Sequence, residues 1–353
     1  MDEGRNWRIS DMSTSEFARH EALHYSIEGG KVRCNLCPHA CLISDGKRGI
    51  CGVREHRSSK LYSLIFGRAS SIHPDPIEKK PLFHFLPGST AISFGSVGCN
   101  LSCSHCQNHG ISRADPSDSE LVTITPDDVV RYAKNAGASS VSWTYNEPII
   151  WHEFTTVASK VAHAHGLKTS YVTNGFIQET PLRELHGLID AMNIDVKAFK
   201  DAFYRNVCGA RLEPVLRTCE IAHELNIHIE LTYLVIPKHN DAEEELRDFS
   251  RWVNDKLSPE VPVHFSAFHP DYRLTDVPRT PTSTLERAYR VAKASGLEYV
   301  YLGNVHAADK ENTYCPDCGS LMIERDGFFV SMNMSKDGVC SKCGRSLNLI
   351  VPL

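Results

Sequence analysis

Between residues 91 and 305, short apolar runs alternate with amphipathic stretches. The runs at 91–96, 139–145, 168–173, 191–197, 228–235, 263–268 and 298–303 are apolar or β-branched and end in polar or turn residues. That pattern predicts β-strands. Helical periodicity fills the gaps. Thr125-Pro126-Asp127-Asp128 supplies an N-cap, a proline for the first turn and acids against the helix dipole, and Asn135-Ala136-Gly137 supplies the stop. Thr180-Pro181 repeats the cap-and-proline device, and Ser283-Thr284-Leu285-Glu286 reads as a capping box.

Repeated strand–helix units predict an α/β fold with parallel strands and right-handed crossovers. Their number suits a partial (β/α)6 TIM-like barrel. No Gly-x-Gly-x-x-Gly follows the first strand, which disfavours a doubly wound dinucleotide-binding sheet. In a βα barrel, reactive groups sit on loops at the C-terminal strand ends.

The flanks read differently. Residues 1–90 form an N-terminal Cys-rich metal-binding region, 91–305 the core, and 306–353 a C-terminal four-Cys ribbon. The 353 residues are long enough to bury a large core. Composition is ordinary: 41% hydrophobic and 23% charged, with a net charge of -5 that offers no footprint for non-specific nucleic-acid binding. No run approaches the ~18 apolar residues of a membrane span. Met1-Asp2-Glu3-Gly4-Arg5-Asn6 lacks an apolar leader core, so a cytoplasmic protein is expected.

Thirteen cysteines sharpen the picture, because 11 of them fall into three tight clusters. An odd count with a long cysteine-poor middle does not suit a disulfide scaffold. Cys34, Cys37, Cys41 and Cys51, interleaved with Pro and Gly, form a knuckle for structural zinc or an accessory iron–sulfur cluster; His39 is an alternative ligand. Cys315, Cys318, Cys340 and Cys343 form two C-x2-C-Gly knuckles separated by 21 residues. This predicts a zinc ribbon, or a rubredoxin-like iron site. Cys208 falls near the predicted mouth with a reactive or ligand role open, whereas Cys219 reads as a small core residue.

The central set, Cys99, Cys103 and Cys106, reads C-x3-C-x2-C directly after the first core strand. A structural zinc site closes with four ligands, so three thiolates need His105 or a distant cysteine to complete one. A four-iron cluster normally takes four cysteines. Three leave one iron open to bind a cosubstrate and pass it an electron.

Other polar residues stand at later strand ends. Asn146 and Glu147 follow the second, Thr173 and Asn174 end the third, and Asp195 and Lys197 end the fourth on one face. Glu230, Thr232 and His264 lie in later strands, and His269-Pro270-Asp271-Tyr272-Arg273 follows the sixth.

The triad resembles the motif of the radical S-adenosylmethionine (radical SAM) superfamily, with His105 replacing the usual aromatic. The resemblance implies a [4Fe–4S] cluster on Cys99, Cys103 and Cys106, chelated at its fourth iron by SAM. It further implies reductive cleavage of SAM to a 5′-deoxyadenosyl radical that abstracts hydrogen. Asn146, Glu147, Thr173, Asn174, Asp195 and Lys197 are then candidate SAM contacts. Asp195-x-Lys197 is similar to a pair in pyruvate formate-lyase activating enzymes.

Longer segments extend the likeness. Cys34–His39, Gly46–Arg54, Asp75–Gly88, the triad through Asn108, Tyr145–Pro148 and the ribbon together look like the AmmeMemoRadiSam radical SAM family. That resemblance implies a reductant such as ferredoxin or flavodoxin, and an activase-like or other modifying reaction on a protein or small substrate. The competing expectation is a non-catalytic metal-binding or electron-transfer protein.

Overall fold

The computed structural model describes residues 20–335 and 337–351, so the polar segment Met1–Asn6 lies outside the described residues. Its centre is one eight-stranded sheet. We number only this core: β1 (Ser71–Pro76), β2 (Thr90–Gly95), β3 (Ser140–Trp143), β4 (Lys168–Thr173), β5 (Ala191–Asp195), β6 (His228–Val235), β7 (Val263–Ala267) and β8 (Val300–Gly303). The strands lie in sequence order across the sheet. β2 to β8 are parallel, and β1 pairs antiparallel with β2 along one edge. This mixed sheet is the predicted α/β core with one added strand. Strands such as β2, β3 and β7 are buried almost throughout, as parallel strands covered on both faces must be.

Among the described residues the core has six α-helices of five residues or more: α1 (Pro126–Asn135), α2 (His152–Ala164), α3 (Glu179–Arg183), α4 (Leu212–Glu224), α5 (Glu243–Lys256) and α6 (Thr282–Ala294). α1 starts as its sequence dictates. Thr125 Oγ1 accepts from Asp128 N at 3.1 Å, and the Asp128 carboxylate accepts from Thr125 N at 2.8 Å. Gly137, at φ +60°, ends it. Two other expected caps are corrected. α3 is capped by Gln178, which places Pro181 at its third position instead of its first. α6 starts after Pro281, so Ser283 lies inside the first turn and makes no capping box.

Two small units flank the sheet. The N-terminal one contains two three-stranded antiparallel sheets, one holding Lys31–Cys34 and the other Arg54–Arg57. A fully buried ion pair between Arg54 and Glu153 fastens it to α2. Arg54 also donates to the Leu23 carbonyl at 2.7 Å, and Glu153 accepts from Leu23 N at 2.8 Å. Leaving either charge unpaired there would be costly, so the contact fixes the approach of the two units.

The C-terminal unit is a three-stranded antiparallel sheet carrying the four ribbon cysteines. Met322 and Ile323 pack with Phe83, Tyr299 and Tyr301. Beneath them the Glu230 carboxylate accepts from Phe83 N at 2.9 Å, His84 N at 2.7 Å, His228 at 3.1 Å and His264 at 2.7 Å. Arg325 donates to the Phe83 carbonyl at 2.7 Å. Glu230 and His264 therefore lock the segment before β2 between sheet and ribbon.

Candidate active site

The triad loop begins where β2 ends, and its backbone is held on every side. Gly98 sits at φ +86°, and a β-carbon there would meet Val53 Cγ1 at 2.6 Å and the Cys51 carbonyl at 2.7 Å. Glycine is thus required by conformation and by contact. Asn146 accepts from Ser96 N at 2.9 Å and donates to the Gly98 carbonyl at 3.1 Å. Ser102 N and Ser104 N donate to the carbonyls of Cys208 and Val207 at 2.8 and 3.0 Å. Arg273 N donates to the Ser104 carbonyl at 2.9 Å, so the segment after β7 closes over the loop.

A buried amide network connects Cys99 to the end of β4. Asn174 Nδ2 donates to Asn100 Oδ1 at 2.8 Å and lies 3.7 Å from Cys99 Sγ. Asn100 Nδ2 donates to the Phe176 carbonyl at 2.8 Å. The Asn100 carbonyl meets His39 Nε2 at 2.7 Å. Asn100 and Arg54 are organising residues that sequence reasoning missed. A polar residue following the first triad cysteine was the available signal for Asn100.

Glu147 is 3% exposed. Its carboxylate accepts from Thr173 Oγ1 at 2.6 Å, Asn174 N at 2.8 Å and Ile149 N at 3.1 Å. Burial outweighs these donors and pushes its pKa up to about 7. The Lys197 ammonium pairs with Asp195 at 2.9 Å. Burial works against its charge, but Asp195 and the nearby Cys103 and Cys208 sulfurs overcome it and hold its pKa above the ordinary lysine range. Cys208 is fully buried; its hydrogen bond lowers the Cys103 pKa against the effect of burial, and Lys197 assists. His105 is also buried, which lowers its pKa to about 3, and its Nδ1 lacks a hydrogen-bond partner among the described residues.

The triad loop, Asn146, Glu147, Thr173, Asn174, Asp195 and Lys197 thus gather around the C-terminal ends of β2 to β5. Gln107 meets His269 Nε2 at 3.1 Å, while His109 stacks on Tyr272 at 4.6 Å. Three soft thiols beside a buried carboxylate and a charged pair suit a metal–sulfur cluster with an open position next to a site for a cationic group.

The sequence model of the radical SAM superfamily matches residues 94–250, a range that includes the triad loop and Asn146, Glu147, Thr173, Asn174, Asp195 and Lys197. The chain contains a radical SAM superfamily domain. This radical SAM protein is 43% identical over 335 residues to the uncharacterized protein MJ0808 of Methanocaldococcus jannaschii, covering 94% of this chain and 99% of that one. It is 24% identical over 165 residues to a GTP 3′,8-cyclase of Vibrio vulnificus, covering 45% and 48% respectively. A crystallised domain of pyruvate-formate lyase-activating enzyme from Bacteroides vulgatus covers 47% of this chain and 100% of its own, with 15% identity and a TM-score of 0.42. Radical SAM membership implies a [4Fe–4S] cluster and SAM at this site.

The ribbon thiols lie within 4.8 Å of one another, with Cys315–Cys343 at 3.5 Å and Cys318–Cys340 at 3.6 Å. Sulfurs around one tetrahedral ion with bonds of about 2.3 Å stand at comparable separations. The N-terminal cysteines Cys34, Cys37, Cys41 and Cys51 line one small apolar cavity with His39 and Arg54. No helix among the described residues is long and apolar enough to cross a membrane.

Proposed function

We propose that this chain is a cytoplasmic radical SAM enzyme of the AmmeMemoRadiSam type, its sheet serving as a partial (β/α)6 barrel, and that it removes hydrogen from a protein substrate in activase-like fashion. The observation that carries the catalytic reading is the buried Glu147 beside the triad loop, joined to Cys99 through Asn174. In this reading Cys99, Cys103 and Cys106 hold three irons of the cluster. A [4Fe–4S] cluster held there would supply the one electron needed to break the sulfonium S–C5′ bond of SAM, giving methionine and a 5′-deoxyadenosyl radical.

The protein's own residues bind and orient. Glu147 accepts the SAM ammonium, with Thr173 and Asn174 keeping its carboxylate in place. Asn146 positions the loop and is a further candidate contact. Asp195 and Lys197 provide adjacent anionic and cationic groups at the mouth, where they would fix the rest of SAM or the substrate. The electron comes from a ferredoxin- or flavodoxin-like donor. Iron or zinc occupies the ribbon as a structural ion, and the Cys34 knuckle takes zinc or an accessory cluster.

Anaerobic reconstitution tests the catalytic part. Reduced protein given SAM should accumulate 5′-deoxyadenosine, and Cys103→Ala should not. Mass spectrometry of proteins captured from the native host should then reveal a modified residue. A modified small molecule with no modified protein would reject the protein-substrate part.

A further inference from the structure

A cluster of ligating side chains distinct from the three cysteine sets lies between the N-terminal unit and the core. His24 Nε2, His152 Nε2 and a Glu184 carboxylate oxygen converge there. The pairwise separations are 3.3 Å between the imidazoles, 3.0 Å from His24 to Glu184 and 3.6 Å from His152 to Glu184. Zinc bonds to nitrogen and oxygen of about 2.0–2.1 Å place tetrahedral ligand atoms about 3.3 Å apart. The three edges match one face of such a tetrahedron. We propose that His24, His152 and Glu184 form a zinc site of the two-histidine, one-carboxylate kind, with its fourth position open on the half-exposed Glu184 side.

Four further observations support a built site. The His152 side chain is 1% exposed. Its Nδ1 has no hydrogen-bond partner among the described residues, so the polar contacts of the ring all run through Nε2 toward the site. His24 holds a left-handed backbone at φ +55°, which a non-glycine residue keeps only where its surroundings enforce it. They do: Asn35 N donates to the His24 carbonyl at 2.7 Å, while Arg54 and Glu153 grip the Leu23 carbonyl and amide. Among the described residues, the Glu184 carboxylate forms its ion pairs with these two histidines alone.

The chemistry differs from that of the cysteine clusters. Two imidazoles and a carboxylate suit a single borderline ion such as zinc, whereas thiolate sets suit iron–sulfur clusters as well as zinc. The ligands come from the turn before Tyr25–Glu28, the first residue of α2 and the end of α3. An ion there would staple the N-terminal unit to two core helices. This inference does not depend on SAM chemistry.

The test uses the full chain, reconstituted anaerobically with its iron–sulfur cluster and dialysed against Zn2+. Wild type should retain one more zinc per chain than His24→Gln and one more than Glu184→Gln, with iron content equal in all three. Zinc should also raise the melting temperature of wild type more than that of either variant. Glu184 is half exposed, so Glu184→Gln should fold and decides the matter if His24→Gln is insoluble. Equal zinc content in wild type and Glu184→Gln would overturn the proposal.

Discussion

Thr173 Oγ1 donates to Glu147 Oε1 at 2.6 Å, tying the end of β4 to the loop after β3. Burial nevertheless raises the Glu147 pKa from 4.5 to about 7. A carboxyl raised on folding contributes stability that is full below its unfolded value and is lost as pH rises through its folded value. SAM-free protein should therefore lose stability between about pH 4.5 and 7 relative to Glu147→Gln. Denaturant titrations across that range measure the difference. An ammonium bound beside Glu147 favours its ionised form, so SAM binding should release a proton near neutral pH. Calorimetry in buffers of different ionisation enthalpy detects this. Release that persists in Glu147→Gln would exclude Glu147 as its source.

Gly98→Ala should be severe. The added methyl meets Val53 and the Cys51 carbonyl, and the backbone lies in the left-handed region. The combined penalty is about 3 kcal/mol. The expected result is a lower urea midpoint together with fewer irons per chain, because the loop carrying Cys99 must shift. Gly110→Ala has open space around it and serves as the control.

Glu230→Ala should separate stability from chemistry. It removes the acceptor of four buried donors under the ribbon. Breaking a buried charged network costs about 3–5 kcal/mol. Global stability should fall by that order, while soluble protein retains its triad iron. Loss of iron at unchanged stability would contradict the assignment of Glu230 to the fold.

The ribbon should behave independently of the triad. Cys340→Ser should remove one metal ion per chain and loosen residues 313–351, as measured by amide hydrogen exchange. Iron bound by Cys99, Cys103 and Cys106 should be unaffected. Equal metal content would remove the ion from the ribbon.

All seven parallel strands were legible to within a few residues, because burial on both faces leaves near-continuous apolar runs. β1 escaped notice. It contains Pro74 and Pro76, which read as loop but are tolerated in an edge strand. The two helix starts differ for separate reasons: Pro181 sits at the third position of α3, because proline at the first is only a tendency, and the Ser283–Glu286 spacing that reads as a capping box lies inside α6, which begins after Pro281. The triad was visible because cysteine spacing carries its chemistry locally. Arg54 and Asn100 were not, since their partners lie 99 and 76 residues away at Glu153 and Phe176. Glu147 was legible as a candidate, but its burial is a property of the assembled strand ends.

The reading of Cys99, Cys103 and Cys106 as holders of a cluster with one open iron is tested most directly by electron paramagnetic resonance. The protein is reconstituted anaerobically, reduced with dithionite and measured with and without SAM. To keep the triad signal separate from any accessory cluster, Cys34→Ala/Cys37→Ala protein is measured alongside wild type. Both should show a [4Fe–4S]+ signal that changes when SAM is added, and Cys99→Ala should lose that response. A signal indifferent to SAM in wild type, or a SAM response that survives Cys99→Ala, would contradict it.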